Sequence, residues 1–152
     1  MYLTREADYA VRCVLFLSRD ADRTASAAEI SQAALVSRGF LAKILQRLAK
    51  RGIVRSTKGA TGGFALSRPP EEISVLDVIE ALQGPVAINV CAVDKKACDL
   101  AGACAVHPIW LELRQGIEER LSEETFAKLI KREKRERPER ASARPRGRAP
   151  RN

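Results

Sequence analysis

Residues 24–68, "TASAAEISQAALVSRGFLAKILQRLAKRGIVRSTKGATGGFALSR", change their hydrophobic period once, at Gly52. Before it, Phe40, Leu41, Ile44, Leu45 and Leu48 recur at helical spacing and share one face. After it, Ile53–Ser56 and Phe64–Leu66 read as two short strands. Between them lies Lys58-Gly59-Ala60-Thr61-Gly62-Gly63, a turn whose glycines supply dihedrals that other residues resist. The helical part divides near Leu35-Val36-Ser37. Ser26, with Glu29 three residues on, forms a capping box for the first helix. The second runs from Ser37 to Gly52, a good C-terminal glycine.

The flanks complete a domain. Residues 3–20 predict a helix with Thr4 as N-cap, Glu6 in its first turn, and an apolar stripe of Ala7, Ala10, Val14 and Leu17. Cys13 lies beside that stripe and reads as a small buried apolar residue. After the Pro69-Pro70 break, Ser74 caps a helix that ends at Gly84, with Val75, Leu76, Val78, Ile79 and Leu82 as its apolar face. Aromatics make up only 5% of a chain that is 45% hydrophobic, so aliphatic side chains must fill the core. Helix, helix, helix and glycine-tipped hairpin give the expected fold: mainly α with a small β-hairpin wing, a winged helix-turn-helix over residues 1–84.

Charge says what that domain meets. The total is +8, yet residues 37–68 hold eight Lys/Arg and no acid, while 69–130 hold five against eleven Asp/Glu. A concentrated positive segment predicts a polyanion-binding surface; a solvated helix face is the plainer alternative. Opposite the apolar stripe, Arg38, Gly39, Ala42, Lys43, Gln46, Arg47 and Lys50 combine charge with short side chains. That face suits a DNA major groove, with Lys58 on the wing placed for phosphate or a minor groove. The glycines do not form a phosphate-binding loop, because no G-x-x-x-x-G-K-[ST] occurs.

Residues 85–107 contain "CAVDKKACDLAGACAVH", three of four cysteines and the only histidine. Nothing here reads as a secretory leader or membrane span, so a cytoplasmic location is expected. There thiols stay reduced, and clustered cysteines point to metal rather than disulfide. The intervals are six, five and two residues, wider than those of compact zinc sites. Wider loops with small residues can wrap an iron–sulfur cluster; zinc and redox thiols remain alternatives. Cys91, Cys98 and Cys104 supply three ligands. His107 is the near candidate for the fourth and Asp8 the far one.

Pro108 opens a further helix whose Ile109, Trp110, Leu113, Ile117 and Leu121 form a seam. It can bury in its own domain or against a twin, and the habit of helix-turn-helix proteins favours a homodimer. Residues 108–131 are expected to form this dimerisation region, with "SEETFAKLI" adding a last turn or two. Residues 132–152 read as a disordered basic tail, helical at most to Arg137, that adds non-specific DNA affinity or solubility.

With these residues in view, "LVSRGFLAKILQRLAKRGIVRSTKGATGGFALSR", "MYLTREADYAVR" and the three-cysteine loop resemble the winged-helix iron–sulfur transcriptional regulators that include IscR, NsrR and RirA. The resemblance covers about residues 1–130. It implies a DNA-binding regulator, a repressor, acting as a homodimer on a two-half-site operator. It implies a [2Fe–2S] or [4Fe–4S] cluster on Cys91, Cys98 and Cys104, closed by His107 in one pattern and by Asp8 of the first helix in another. It places base contacts at Ser37, Arg38, Gly39, Ala42 and Lys43, with Lys58 on the wing; Arg47 joins them from the same helix front. Two departures are plain. Some members carry an acid where this chain has Ala42, and Arg is usual where it has Lys58, which lacks the planar guanidinium fork. No nucleophile–base pair marks an enzyme. A carrier protein would not need the basic helix, and a thiol enzyme would be expected to show C-x-x-C.

Overall fold

The computed structural model describes residues 3–59 and 62–142; Ala60 and Thr61 of the wing turn and the expected tail over 143–152 lie outside the described residues. The first helix, α1 (Arg5–Ser18), starts where the Thr4 hydroxyl accepts the Ala7 N–H at 3.2 Å. Ala7, Ala10, Cys13, Val14 and Leu17 are buried along it. The small residues let α4 (Val75–Gln83) lie close, and Gln83 Oε1 accepts the Thr4 N–H at 3.0 Å.

Next, α2 (Ala27–Ala34) opens with the expected capping box of Ser26 and Glu29. The turn to α3 (Arg38–Lys50) passes through Leu35 in the left-handed region and is closed by the Ser31 hydroxyl donating to the Val36 carbonyl at 2.6 Å. Leu41, Ile44, Leu45 and Leu48 of α3 face the core. Gly52 then turns the chain at φ 65°, into strands β1 (Val54–Thr57) and β2 (Gly63–Leu66), which pair antiparallel from Val54–Leu66 to Thr57–Gly63. Ala25 adds an isolated bridge to β2, a rung outside the hairpin, exchanging hydrogen bonds with Phe64 at 2.9 and 2.8 Å. This rung requires Gly63, since a Cβ there would stand 2.4 Å from the Ala25 carbonyl oxygen. The wing is thus anchored to the helical body. The mainly α architecture with a hairpin wing is as expected.

After α4 the chain leaves the domain through the cysteine loop and α5 (His107–Glu123), then returns as α6 (Phe126–Ser142). The return is hydrogen-bonded: Val75 N–H donates to the Glu124 carbonyl at 2.9 Å and Phe126 N–H to the Ile73 carbonyl at 3.0 Å. Phe126 is fully buried in the same core as α1 and α3.

Two expectations change here. "TFAKLI" does not extend the helix of the seam; it docks into the winged-helix core. Helix also continues past residue 131 to Ser142, where a disordered tail was expected. Its Lys, Arg and Glu are good helix formers. Glu133 accepts two hydrogen bonds from the Arg19 guanidinium at 3.0 and 2.7 Å, tying the new turn to the end of α1. Among the described residues no helix is long and apolar enough to cross a membrane.

Candidate nucleic-acid interface and cysteine loop

The buried stripe of α3 fixes the direction of its other side. Arg38, Gly39, Ala42, Lys43 and Arg47 are all exposed, as are Ser37 at the N-cap and Lys58 on the wing. Ser37 makes no side-chain capping bond, which leaves its hydroxyl available at the mouth of the helix. Phe40 stays half-buried, edge-on to Tyr9 with centroids 5.8 Å apart and planes at 86°, and helps hold α3 to α1. Arg47 differs from the rest. Its guanidinium donates to Glu6 of α1 at 2.8 Å, so one candidate DNA contact already has an acidic partner. No periodicity or spacing signal pairs residues 6 and 47.

The cysteines divide into two kinds. Cys13 is fully buried in α1, and burial pushes its thiol up to about 12. A thiol of that kind is inert packing. The other three stand in the loop between α4 and α5. Val86, at the start of the loop, is buried. Cys91 lies in a short 3-10 turn, Val90–Ala92, and is buried with Ala92. A second such turn, Lys95–Ala97, follows, set by the Asp94 carboxylate accepting the Lys96 N–H at 2.9 Å. Cys98 and Cys104 are half-buried. Their carbonyls accept from Ala101 N–H at 3.1 Å and His107 N–H at 3.2 Å, folding the second half of the loop into tight turns.

His107 is the first residue of α5, directly before Pro108. Its Nδ1 is buried without a hydrogen-bond partner. A buried unpaired ring nitrogen is costly and calls for an explanation such as an ion or cluster. The donor set of three thiols and one imidazole fits an iron–sulfur centre or zinc. Among the described residues no group of three or more His, Cys, Asp or Glu is arranged to hold a single metal ion. Asp8, the far candidate, is half-exposed on α1 and ion-paired with Arg12 at 2.7 Å, whose guanidinium lies 5.5 Å from the centre of the Tyr9 ring.

Helix α5 buries none of its residues. Ile109 (50% exposed) and Leu113 of the expected seam are exposed, as is Leu111, while Trp110, Ile117 and Leu121 are half-buried. Val90 (66%), Val93 and Leu100 (70%) extend the apolar surface into the loop. One contact escaped sequence reading. Arg114 of α5 donates through Nη1 to the Ala92 carbonyl at 2.6 Å and through Nε to Glu118 at 2.7 Å. The pairing with Glu118 is visible at i,i+4 spacing; the bond to residue 92 leaves no such trace.

Residues 3–132 match the family described as Rrf2, iron-dependent transcriptional regulator. The HTH-type transcriptional regulator IscR of Yersinia pseudotuberculosis is 31% identical over 131 residues, covering 86% of this chain and 79% of the relative. Two solved structures share the fold at 23% identity. One is CymR, the global cysteine regulator of B. subtilis, with a TM-score of 0.71 over 86% of this chain and 97% of that one. The other is IscR of T. potens, with a TM-score of 0.69 over 97% and 94%.

Proposed function

Since the chain belongs to the Rrf2 family of transcriptional regulators, we propose that it is an iron–sulfur-responsive repressor acting as a homodimer on a two-half-site DNA operator. Winged-helix regulators of this family bind DNA, and the exposed basic front of α3, with the wing, supports assigning that role to this surface. Ser37, Arg38, Gly39, Ala42 and Lys43 lie at base edges and phosphates of the major groove, Lys58 on flanking phosphate. Arg47 joins them on release from Glu6.

The observation that carries the sensing role is the unpaired, buried Nδ1 of His107 at the end of the loop whose sequence holds three free cysteines. Cys91, Cys98 and Cys104 with His107 would hold the cluster; Asp8 is the weaker claimant because Arg12 already neutralises it. When bound, such a cluster supplies a centre sensitive to iron supply and oxidants, held by one ligand weaker than a thiolate. The protein's part is to keep Cys91 buried against α5, leave Cys98 and Cys104 room to move, and carry the loop's arrangement into α5. The exposed seam of α5 is covered by the same helix of a second copy, which sets the spacing of the two α3 helices.

Lys43→Ala and Lys58→Ala each remove a phosphate contact. Both should weaken binding to a duplex selected by the wild-type protein from a random library, and each should lower the slope of log affinity against log salt by about one. A footprint without two related half-sites would contradict the dimer. If His107→Ala keeps the cluster while Asp8→Ala loses it, Asp8 is the fourth ligand. A colourless protein that still represses would instead support zinc or a thiol switch in the same loop.

A further inference from the structure

We infer that Arg114 is the positioning residue that joins the Cys91 turn to α5 and transmits the state of the loop to that helix. The inference rests on the cluster-sensing role proposed above. Among the described residues, the bond from Arg114 to the Ala92 carbonyl is the one side-chain hydrogen bond from α5 to the cysteine loop. It spans 22 residues of sequence and is short, at 2.6 Å, as charge-assisted bonds are. The guanidinium is held in place at its other edge by Glu118, and both side chains are little more than a quarter exposed. Water therefore competes poorly for the fork, and its rotamer is fixed from below by α5 itself. Arg114 acts as a strut rather than a mobile surface charge.

The position of the strut sets which thiol it holds. Ala92 follows Cys91 directly, and these two, with Ala101, are the buried residues of the loop between Cys91 and Cys104. Cys98 and Cys104 are more exposed and have no side-chain tie of this kind to α5. Arg114 thus makes Cys91 the thiol tied to the middle of α5. It lies seven residues, about two turns, beyond His107 on α5. One helix thus carries both the imidazole and the clamp on the first thiol. Tension in the loop reaches α5 through the Ala92 carbonyl.

The test uses full-length protein reconstituted anaerobically with iron and sulfide, as wild type, Arg114→Ala, Arg114→Lys and Glu118→Gln. Iron and sulfide content and the visible spectrum report cluster uptake; titration of the library-selected duplex, with and without cluster, gives the ratio of the two affinities. Allosteric ratios are ordinarily about 5–150-fold. Arg114→Ala should load iron and sulfide like wild type while its ratio falls towards unity. Arg114→Lys, with charge but no fork, should fall in between, and Glu118→Gln should lower the ratio less than Arg114→Ala. A variant at 114 that loads normally and keeps the wild-type ratio overturns the proposal. So does loss of the cluster in both variants, which would make Arg114 a residue of cluster retention. Should Arg114→Ala fail to fold, Arg114→Lys decides by the same criteria. Wild type that takes up no cluster, or loads one without change in DNA affinity, refutes the underlying role instead.

Discussion

Leu35 sits at φ 56° and ψ 47°, the one non-glycine residue with positive φ among the described residues, and is 76% exposed. A side chain in that conformation costs about 1–2 kcal/mol, and this one recovers little by burial. Leu35→Gly should therefore raise the unfolding free energy by roughly 1 kcal/mol in urea titration; a loss of stability would show that the leucine packs in the free protein. Glu29 makes a second residue-scale case. Hydrogen bonds from the Ser26 backbone and hydroxyl, followed by the nearby Arg23 charge, hold its carboxyl below the ordinary value of 4.5. A depressed folded-state value means that the stabilisation is present above the unfolded value and fades as pH falls through the folded one. Acid melts below about pH 4.5 should show a smaller loss in Glu29→Gln than in wild type. An identical pH profile would remove Glu29 from the account.

At the scale of elements, α6 decides how the chain is divided. Its first residue, Phe126, lies in one core with residues of α1 and α3, which come more than seventy positions earlier, and α5 contributes no residue to that core. Phe126→Ala should cost about 3–5 kcal/mol, measured by chemical denaturation; a cost under about 1 kcal/mol would mean that α6 is only laid on the surface. The elements whose signals are local were legible in the sequence. Thr4, Ser26 and Ser74 cap their own helices, Gly52 ends α3 with a left-handed turn, and the glycines of the wing sit where strand pairing needs them. What was not legible depends on partners distant in sequence. Nothing near Phe126 says that it meets α1 rather than a twin. Nothing near Gly63 says that Ala25 will pair beside it. The same holds at the site: a count of ligands and their order can be read along the chain, whereas the Glu6–Arg47 pair and the Arg114 strut exist only once the helices have packed.

The whole molecule places an exposed basic helix and wing and a cysteine-rich loop on one scaffold and leaves α5 exposed beside the loop. The basic residues of 37–68 are on α3, the wing and the turns beside them, while acids dominate 69–130, so positive charge is gathered on the part of the molecule proposed to meet DNA. An unburied helix with exposed Ile109, Leu111 and Leu113 is costly to a lone chain and natural between two copies. On this account the loop sits where a change at its cysteines reaches α5, and α5 sits where it sets the distance between two α3 helices. The most direct measurement is a DNA titration of one anaerobic preparation, first loaded with iron and sulfide and then stripped by chelator, followed by light scattering on the same samples. The account predicts a brown dimer with about one cluster per chain, two protected half-sites, and an affinity that changes at least about five-fold on stripping. A colourless protein, or a coloured one whose DNA affinity is the same with and without its cluster, would contradict it.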